Sequence, residues 1–279
     1  MNGYLNTGFD INNPDFISAI DELPLWSAPF GLRLLKEIKY RKNITAIDIG
    51  SGLGFPLLEV AMRLGTTCKV YGIDPWLQAI ERTERKIHHY RINNVELITG
   101  EAENIPLPDS SVDLIISNNG INNVKDPEKT FSEISRIAKP GAQFVFTFNT
   151  DKTMIEFYTV FENVMREKNL IDEIKKLKAH IYEKRKPVEE VVNSLMRHNF
   201  SINLVDHNEF QYVYADGTTM FNHFLIRLAF FDSWKNIIPK NLIVEVFEKV
   251  EARMNDLSTE KGSLKITIPF ALIDSVKTA

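Results

Sequence analysis

The sequence predicts an α/β fold, a doubly wound sheet with helical additions, on three observations. Ile44 to Ile49 reads as a short buried strand, Gly50 to Gly54 as a glycine turn, and Pro56 to Leu64 as a helix. Cys68 to Asp74 reads as a second strand, with a helix from Pro75 to Arg91 behind it. Val95 to Thr99, Val112 to Ser117 and Gln143 to Phe148 then supply further strands, with a helix after Asp126 before the last of them. Strands that alternate with helices in this way form a sheet covered on its faces.

The first turn carries the chemistry. Ile44, Ala46, Ile47 and Ile49 are apolar, Asp48 lies near the strand's carboxyl end, and Gly50-Ser51-Gly52 follows. Glycines let a backbone approach a ligand closely, and a helix amino terminus favours an anionic group. Strand, glycine turn and helix are therefore the opening of a nucleotide-binding unit. The dinucleotide fingerprint Gly-x-Gly-x-x-Gly is not met, because Phe55 stands where its third glycine belongs. No Gly-Lys-Ser/Thr phosphate loop occurs in the chain.

Asp74 follows Gly54 by twenty positions, close to where nucleoside-binding folds hold a ribose with a carboxylate. It also suits the amino-terminal cap of a helix with Pro75 at its first position, and the two roles are compatible. Gly100-Glu101-Ala102-Glu103 comes directly after the third strand, then the turn-rich Ile105 to Ser111.

Asp48-x-Gly50-x-Gly52-x-Gly54, Asp74, Gly100-Glu101-Ala102-Glu103-x-x-Pro106 and Asp113-Leu114-Ile115 together resemble class I S-adenosylmethionine-dependent methyltransferases. The likeness is greatest to the branch with the type 11 methyltransferase domain, which acts on small molecules, and it covers roughly residues 40–150. It implies a Rossmann-like sheet of seven strands. It also implies that Asp48, Gly50, Ser51 and Gly52 underlie the amino-acid part of the cofactor and that Asp74 binds its ribose. Pro75 and Trp76 would flank the adenine, Trp76 being equally suited to a helix core. Glu101 stands where the family more often has Asp to meet the adenine amino group, and Ala102 supplies an amide beside the ring. Asn118 would face the methionine portion. Asn119 is a candidate for the acceptor or a plain turn residue. The Asp/Asn-Pro-Pro-aromatic motif of base- and glutamine-methylating enzymes is missing after the fourth strand.

Outside this core the chain adds material. Residues 1–36 form an amino-terminal cap segment, where Leu23-Pro24-Leu25-Trp26 is apolar and a helix begins near Leu32. Trp26 or Phe30 would cover the cofactor or pack on the sheet edge. Residues 37–150 are the cofactor-binding core, and 151–206 complete it with a helix from Thr153 to Lys186, another from Val188 to His198 and a sixth strand from Ser201 to Asp206. Residues 207–262 are a helical cap insertion, and 263–279 carry the last strand and tail. The cap holds a strand-like Phe210 to Tyr214, a helix from Thr218 to Trp234 and one from Pro239 to Leu257. Its Tyr212, Tyr214, Phe221, His223, Phe224, Phe230, Phe231 and Trp234 either wall an acceptor site or pack as core.

Composition is ordinary for a globular protein, 44% hydrophobic and 25% charged. A net charge of −4 argues against a general nucleic-acid binder. The single cysteine, Cys68, excludes disulfides and a cysteine-built metal site, so no metal is expected. It also disfavours arsenite methylation, found among relatives. The polar start lacks signal-peptide form, and no apolar run is long enough to span a bilayer; a cytoplasmic protein is expected.

The reading is methyl transfer from S-adenosylmethionine to a small-molecule acceptor, with S-adenosylhomocysteine as product. Trp26, Asn119, Tyr214 and His223 are the candidate acceptor contacts. If the acceptor must lose a proton, His207 and His223 are the candidate bases. The alternatives are an RNA- or protein-modifying methyltransferase and a cofactor-binding protein without transfer activity. Neither the acceptor nor the oligomeric state follows from the sequence.

Overall fold

The computed structural model describes residues 3–6, 8–23 and 25–279; Met1 and the Pro24 of the apolar amino-terminal stretch lie outside the described residues. The chain divides into two compact units, one of residues 11–150, 185–208 and 270–279, the other of residues 1–10, 151–184 and 209–269. The first is called the sheet unit and the second the helical unit.

In the sheet unit, α1 (Pro14–Asp21) and α2 (Ser27–Glu37) precede β1 (Thr45–Ile49). Then come α3 (Leu57–Leu64), β2 (Lys69–Asp74), α4 (Leu77–Tyr90), β3 (Val95–Thr99) and β4 (Val112–Asn118). α5 (Pro127–Ile137) and β5 (Ala138–Asn149) follow. α1 was not foreseen, yet its start is explicit: Asn13 caps it by accepting from the Asp15 and Phe16 amides, and Pro14 fills the first position. Asp126 and Pro127 start α5 in the same way, as expected.

β1 pairs in parallel with β2 and β4, β2 with β3, and β4 with β5. The seven-stranded sheet has the order β3-β2-β1-β4-β5-β7-β6, with β7 antiparallel to β5. The fold class is thus the expected one. β1, β4 and β5 are buried on both faces, as parallel strands covered by helices must be. Ile47, Ile115, Phe144 and Phe146 fill one face, and Ala46, Leu57, Val70 and Leu114 the other.

The helical unit contains α6 (Ile155–Glu167) and α7 (Ile171–Lys184). The expected continuous helix breaks between them because Asn169 turns left-handed, at φ 55°, and the Leu170 amide closes back onto Met165. Residues 151–184 cluster with the helical unit, whereas the sequence boundaries grouped them with the core; α8 (Val188–Arg197) does lie in the sheet unit. β6 (Phe200–Tyr214) runs unbroken through the two segments read as separate strands.

The expected helix from Thr218 to Trp234 is three short ones, α9 (Gly217–Asn222), α10 (Phe224–Ala229) and α11 (Phe231–Lys235). His223 is extended and caps α10 through its own ring, which ends α9 and starts the next turn. α12 (Ile243–Lys261) and β7 (Leu264–Lys277) complete the chain. Gly217 lets α9 meet α12, since a Cβ there would lie 2.5 Å from that of Met254.

The aromatic set of the cap divides. Phe221, Phe231 and Trp234 are fully buried with Phe157, Phe161 and Phe247. Trp234 stacks on Phe157 at 4.0 Å and its indole N–H donates to the Tyr158 hydroxyl at 3.1 Å. These residues are the core of the helical unit, so they are lost from the acceptor-site candidates. Trp234→Ala should destabilise the protein by about 3–5 kcal/mol, the usual cost of emptying a buried aromatic site. Urea unfolding measures it; a cost below about 1 kcal/mol would mean that the indole is not packed as described.

Candidate functional site

The site forms where β1, β2, β3 and β4 end. After β1 the amides of Gly50 and Ser51 both donate to the Ile73 carbonyl, at 2.9 and 3.1 Å, which ties the turn to β2. Gly50, Gly52 and Gly54 all have positive φ, 74°, 49° and 92°. The reasons for glycine differ. A Cβ on Gly50 would approach the Gly120 Cα to 3.1 Å, and one on Gly120 would sit 2.6 Å from the Ile49 carbonyl oxygen. At Gly52 a Cβ would meet no protein atom within 4 Å, so that peptide borders open space. At Gly54 it would strike Thr83 of α4.

Asp74 joins the turn to the next element. One carboxylate oxygen accepts from the Gly52 amide at 2.8 Å and the other from the Trp76 amide at 2.9 Å. Burial raises its pKa, and the two amides offset part of that rise. Each carboxylate oxygen accepts one bond from the chain, and further lone pairs remain for a ligand hydroxyl. A cavity of ≈ 260 Å³ opens beside it, walled by Ile49, Gly50, Asp74, Pro75, Glu101, Ala102, Gly120 and Lys125 among others.

Five of the ten expected cofactor residues therefore line one cavity: Gly50, Asp74, Pro75, Glu101 and Ala102. Ser51 is buried, and among the described residues neither its hydroxyl nor the buried Trp76 indole N–H has a partner. Asn118 is tied in from both ends: its amide nitrogen donates to the Ser27 carbonyl and its oxygen accepts from the Thr147 hydroxyl, each at 3.1 Å. Asp48 is wholly buried behind the turn. Burial, then the nearby Asp74 charge, push it from 3.8 up to about 8, with the Leu57 amide offsetting part of the rise. Burial therefore favours the neutral acid.

The acceptor candidates fall differently. Asn119 is left-handed at φ 59° and its side-chain oxygen accepts from the Asn149 amide at 3.1 Å, so it holds a turn. Trp26 is half-buried with its ring 5.6 Å from Phe30, and Phe30 is core, edge-on to Phe270 at 4.7 Å. His207 belongs to the sheet unit, and Tyr214 and His223 to the helical unit, their rings 5.5 Å apart. The Tyr214 hydroxyl is buried without a partner among the described residues, and burial lowers the His223 pKa. His223 Nδ1 accepts from the Leu225 amide, so its proton resides on Nε2.

Glu103, Lys125 and Gly120, none of them among the expected site residues, also line the cavity. One oxygen of the buried Glu103 carboxylate accepts from the Lys125 and Asp126 amides, at 2.7 and 3.0 Å, binding the loop after β4 to the loop after β3. The Lys125 ammonium in turn pairs with Glu101. Nothing in the sequence around Gly120 indicates that its backbone would touch that of Gly50.

The chain belongs to the family described as a methyltransferase domain, whose model matches residues 40–218, more than half of its length. A demethylmenaquinone methyltransferase of Geobacillus sp. (strain WCH70) is 30% identical over 127 residues, 46% of this chain and 54% of that protein. The chain spans about half the length of the curated relatives it matches. Among solved structures, the YcgJ protein from Bacillus subtilis superposes with a TM-score of 0.57 at 17% identity, covering 90% of this chain and 99% of that one. A SAM-dependent methyltransferase from Aquifex aeolicus gives 0.51 at 24% identity, covering 69% and 91%. These two likenesses concern the fold. Among the described residues no helix is long and apolar enough to cross a membrane, and no cluster of ligating side chains could hold a metal.

The state of Asp48 has a measurable consequence. An acid that keeps its proton to about pH 8 in the fold but releases it near pH 4 when unfolded stabilises the fold at low pH and loses that contribution as pH rises. Between roughly pH 5 and pH 9 the melting temperature of the parent should therefore fall more steeply than that of Asp48→Asn. Equal slopes would mean that Asp48 is ionised in the fold.

Proposed function

We propose that the chain transfers the methyl group of S-adenosylmethionine to a small, partly apolar acceptor in the cytoplasm. The observation that carries this reading is the Asp74 carboxylate, fixed by the Gly52 and Trp76 amides at the edge of a cavity that a glycine turn leaves open. On this reading Asp74 accepts from the ribose hydroxyls, and Gly50, Ser51 and Gly52 hold the amino-acid portion. Pro75, Glu101 and Ala102 hold the adenine, with Trp76 beside it.

When bound, S-adenosylmethionine supplies an electrophilic methyl on a sulfonium. The protein's task is then to orient the acceptor and exclude water. Tyr214 and His223 suit acceptor binding, because both can donate a hydrogen bond from an aromatic wall. With Nδ1 engaged by the Leu225 amide, His223 donates from Nε2; to act as a base there it would have to give up the cap on α10. The relatives named as demethylmenaquinone methyltransferases make a ring bearing hydroxyl or carbonyl oxygens the first acceptor class to test.

Two measurements test the reading. Asp74→Ala should weaken S-adenosylhomocysteine binding by about 2–4 kcal/mol, as two charge-assisted bonds are lost, and calorimetry should find no NAD binding in the parent. Undiminished affinity in the variant would remove Asp74 from the site. Tyr214→Phe should leave the melting temperature unchanged or slightly raised, since the hydroxyl has no partner to lose. Acceptor turnover should fall roughly ten-fold if that hydroxyl binds the acceptor; unchanged turnover would place the acceptor elsewhere.

A further inference from the structure

The glycine turn is held from behind by α4. Three residues at positive φ within five positions make a segment with little conformational preference of its own. Its two middle carbonyls are both engaged by α4 side chains. The Thr83 hydroxyl donates to the Gly52 carbonyl at 3.3 Å, and the Lys86 ammonium donates to the Leu53 carbonyl. Thr83 is fully buried, and the Lys86 side chain is only 16% exposed.

Lys86 makes a second bond, to Asp21 at 2.8 Å, and Arg82 meets the other oxygen of the same carboxylate at 2.8 Å. Asp21 is the last residue of α1, where an acid opposes the helix dipole. Its side chain is 11% exposed, so the two cations make up for an unfavourable position. α1 packs on α4 and lies before the family match, which begins at residue 40.

We propose that Lys86 is a positioning residue for the cofactor turn and that Asp21 of α1 holds it in place. The helix added ahead of the family core thereby sets the geometry of Gly52 and Leu53. With the Leu53 carbonyl held by Lys86 and the Gly52 carbonyl by Thr83, the Gly52 amide keeps its bond to Asp74. Released from Lys86, the turn samples other orientations of the Leu53 peptide, and the cofactor must reorder it on binding.

The inference rests on the reading that this turn carries S-adenosylmethionine, and the test separates the two. S-adenosylhomocysteine binding is measured by calorimetry on the parent, Lys86→Met, Lys86→Arg and Asp21→Asn. The parent should bind; Lys86→Met should lose roughly ten-fold and Asp21→Asn about three-fold, with Lys86→Arg recovering part of the loss. Amide exchange of Leu53 and Gly54 without ligand should quicken in Lys86→Met, and the cofactor KM should rise by more than kcat falls. If Lys86→Met does not fold, Asp21→Asn carries the test. A parent that binds while both variants bind within two-fold of it overturns the role of Lys86 alone. The same holds if Lys86→Met lowers the melting temperature and leaves affinity unchanged. A parent that fails to bind overturns the site reading and this inference with it.

Discussion

The contact between the Gly52 amide and the Asp74 carboxylate, 2.8 Å long, is the constraint on which the site depends. It joins the turn after β1 to the end of β2, strands that already pair in parallel register with Asp48 opposite Gly72 and Ile49 opposite Ile73. Buried carboxylates are costly unless bonded, and here two backbone amides offset part of that cost while lone pairs remain for a ligand. Asp48, four residues before Gly52, makes the opposite choice. Burial favours its neutral form, which keeps a second negative charge away from the turn.

From that constraint the rest follows outward. The turn can close only because Gly50 and Gly120 let two backbones touch, and it is steadied because α4 reaches two of its carbonyls. The far wall depends on Glu103, whose carboxylate binds two amides of the loop after β4. Lys125 and Glu101 close the same mouth on its solvent side, an exposed pair that contributes little to stability.

Much of this was legible in the sequence because it is local. Apolar β-branched runs gave the core strands, Gly50 to Gly54 the turn, and Asp74 its place at the end of β2. Non-local contacts were not legible. Nothing near Gly120 in the chain indicates Gly50, and nothing near Lys86 indicates Leu53 or Asp21. Helix interruptions were missed because apolar spacing continues across them: Asn169 and His223 break helices through backbone conformation while the pattern of buried residues runs on. The cap aromatics show the limit of composition. Trp234 and Tyr214 are alike as aromatic residues, but the Trp234 indole N–H has its partner in Tyr158, whereas the Tyr214 hydroxyl has none among the described residues.

On the proposed reading the glycine turn, the end of β2 and the loop after β3 are parts of one cofactor site. Hydrogen exchange of the native protein with and without S-adenosylhomocysteine tests that most directly. Ligand should slow exchange together in three short segments, 50–54, 74–76 and 100–103, while the edge of β3 facing away from the turn is unchanged. Protection confined to another region, or slowed exchange in only one of the three segments, would contradict it.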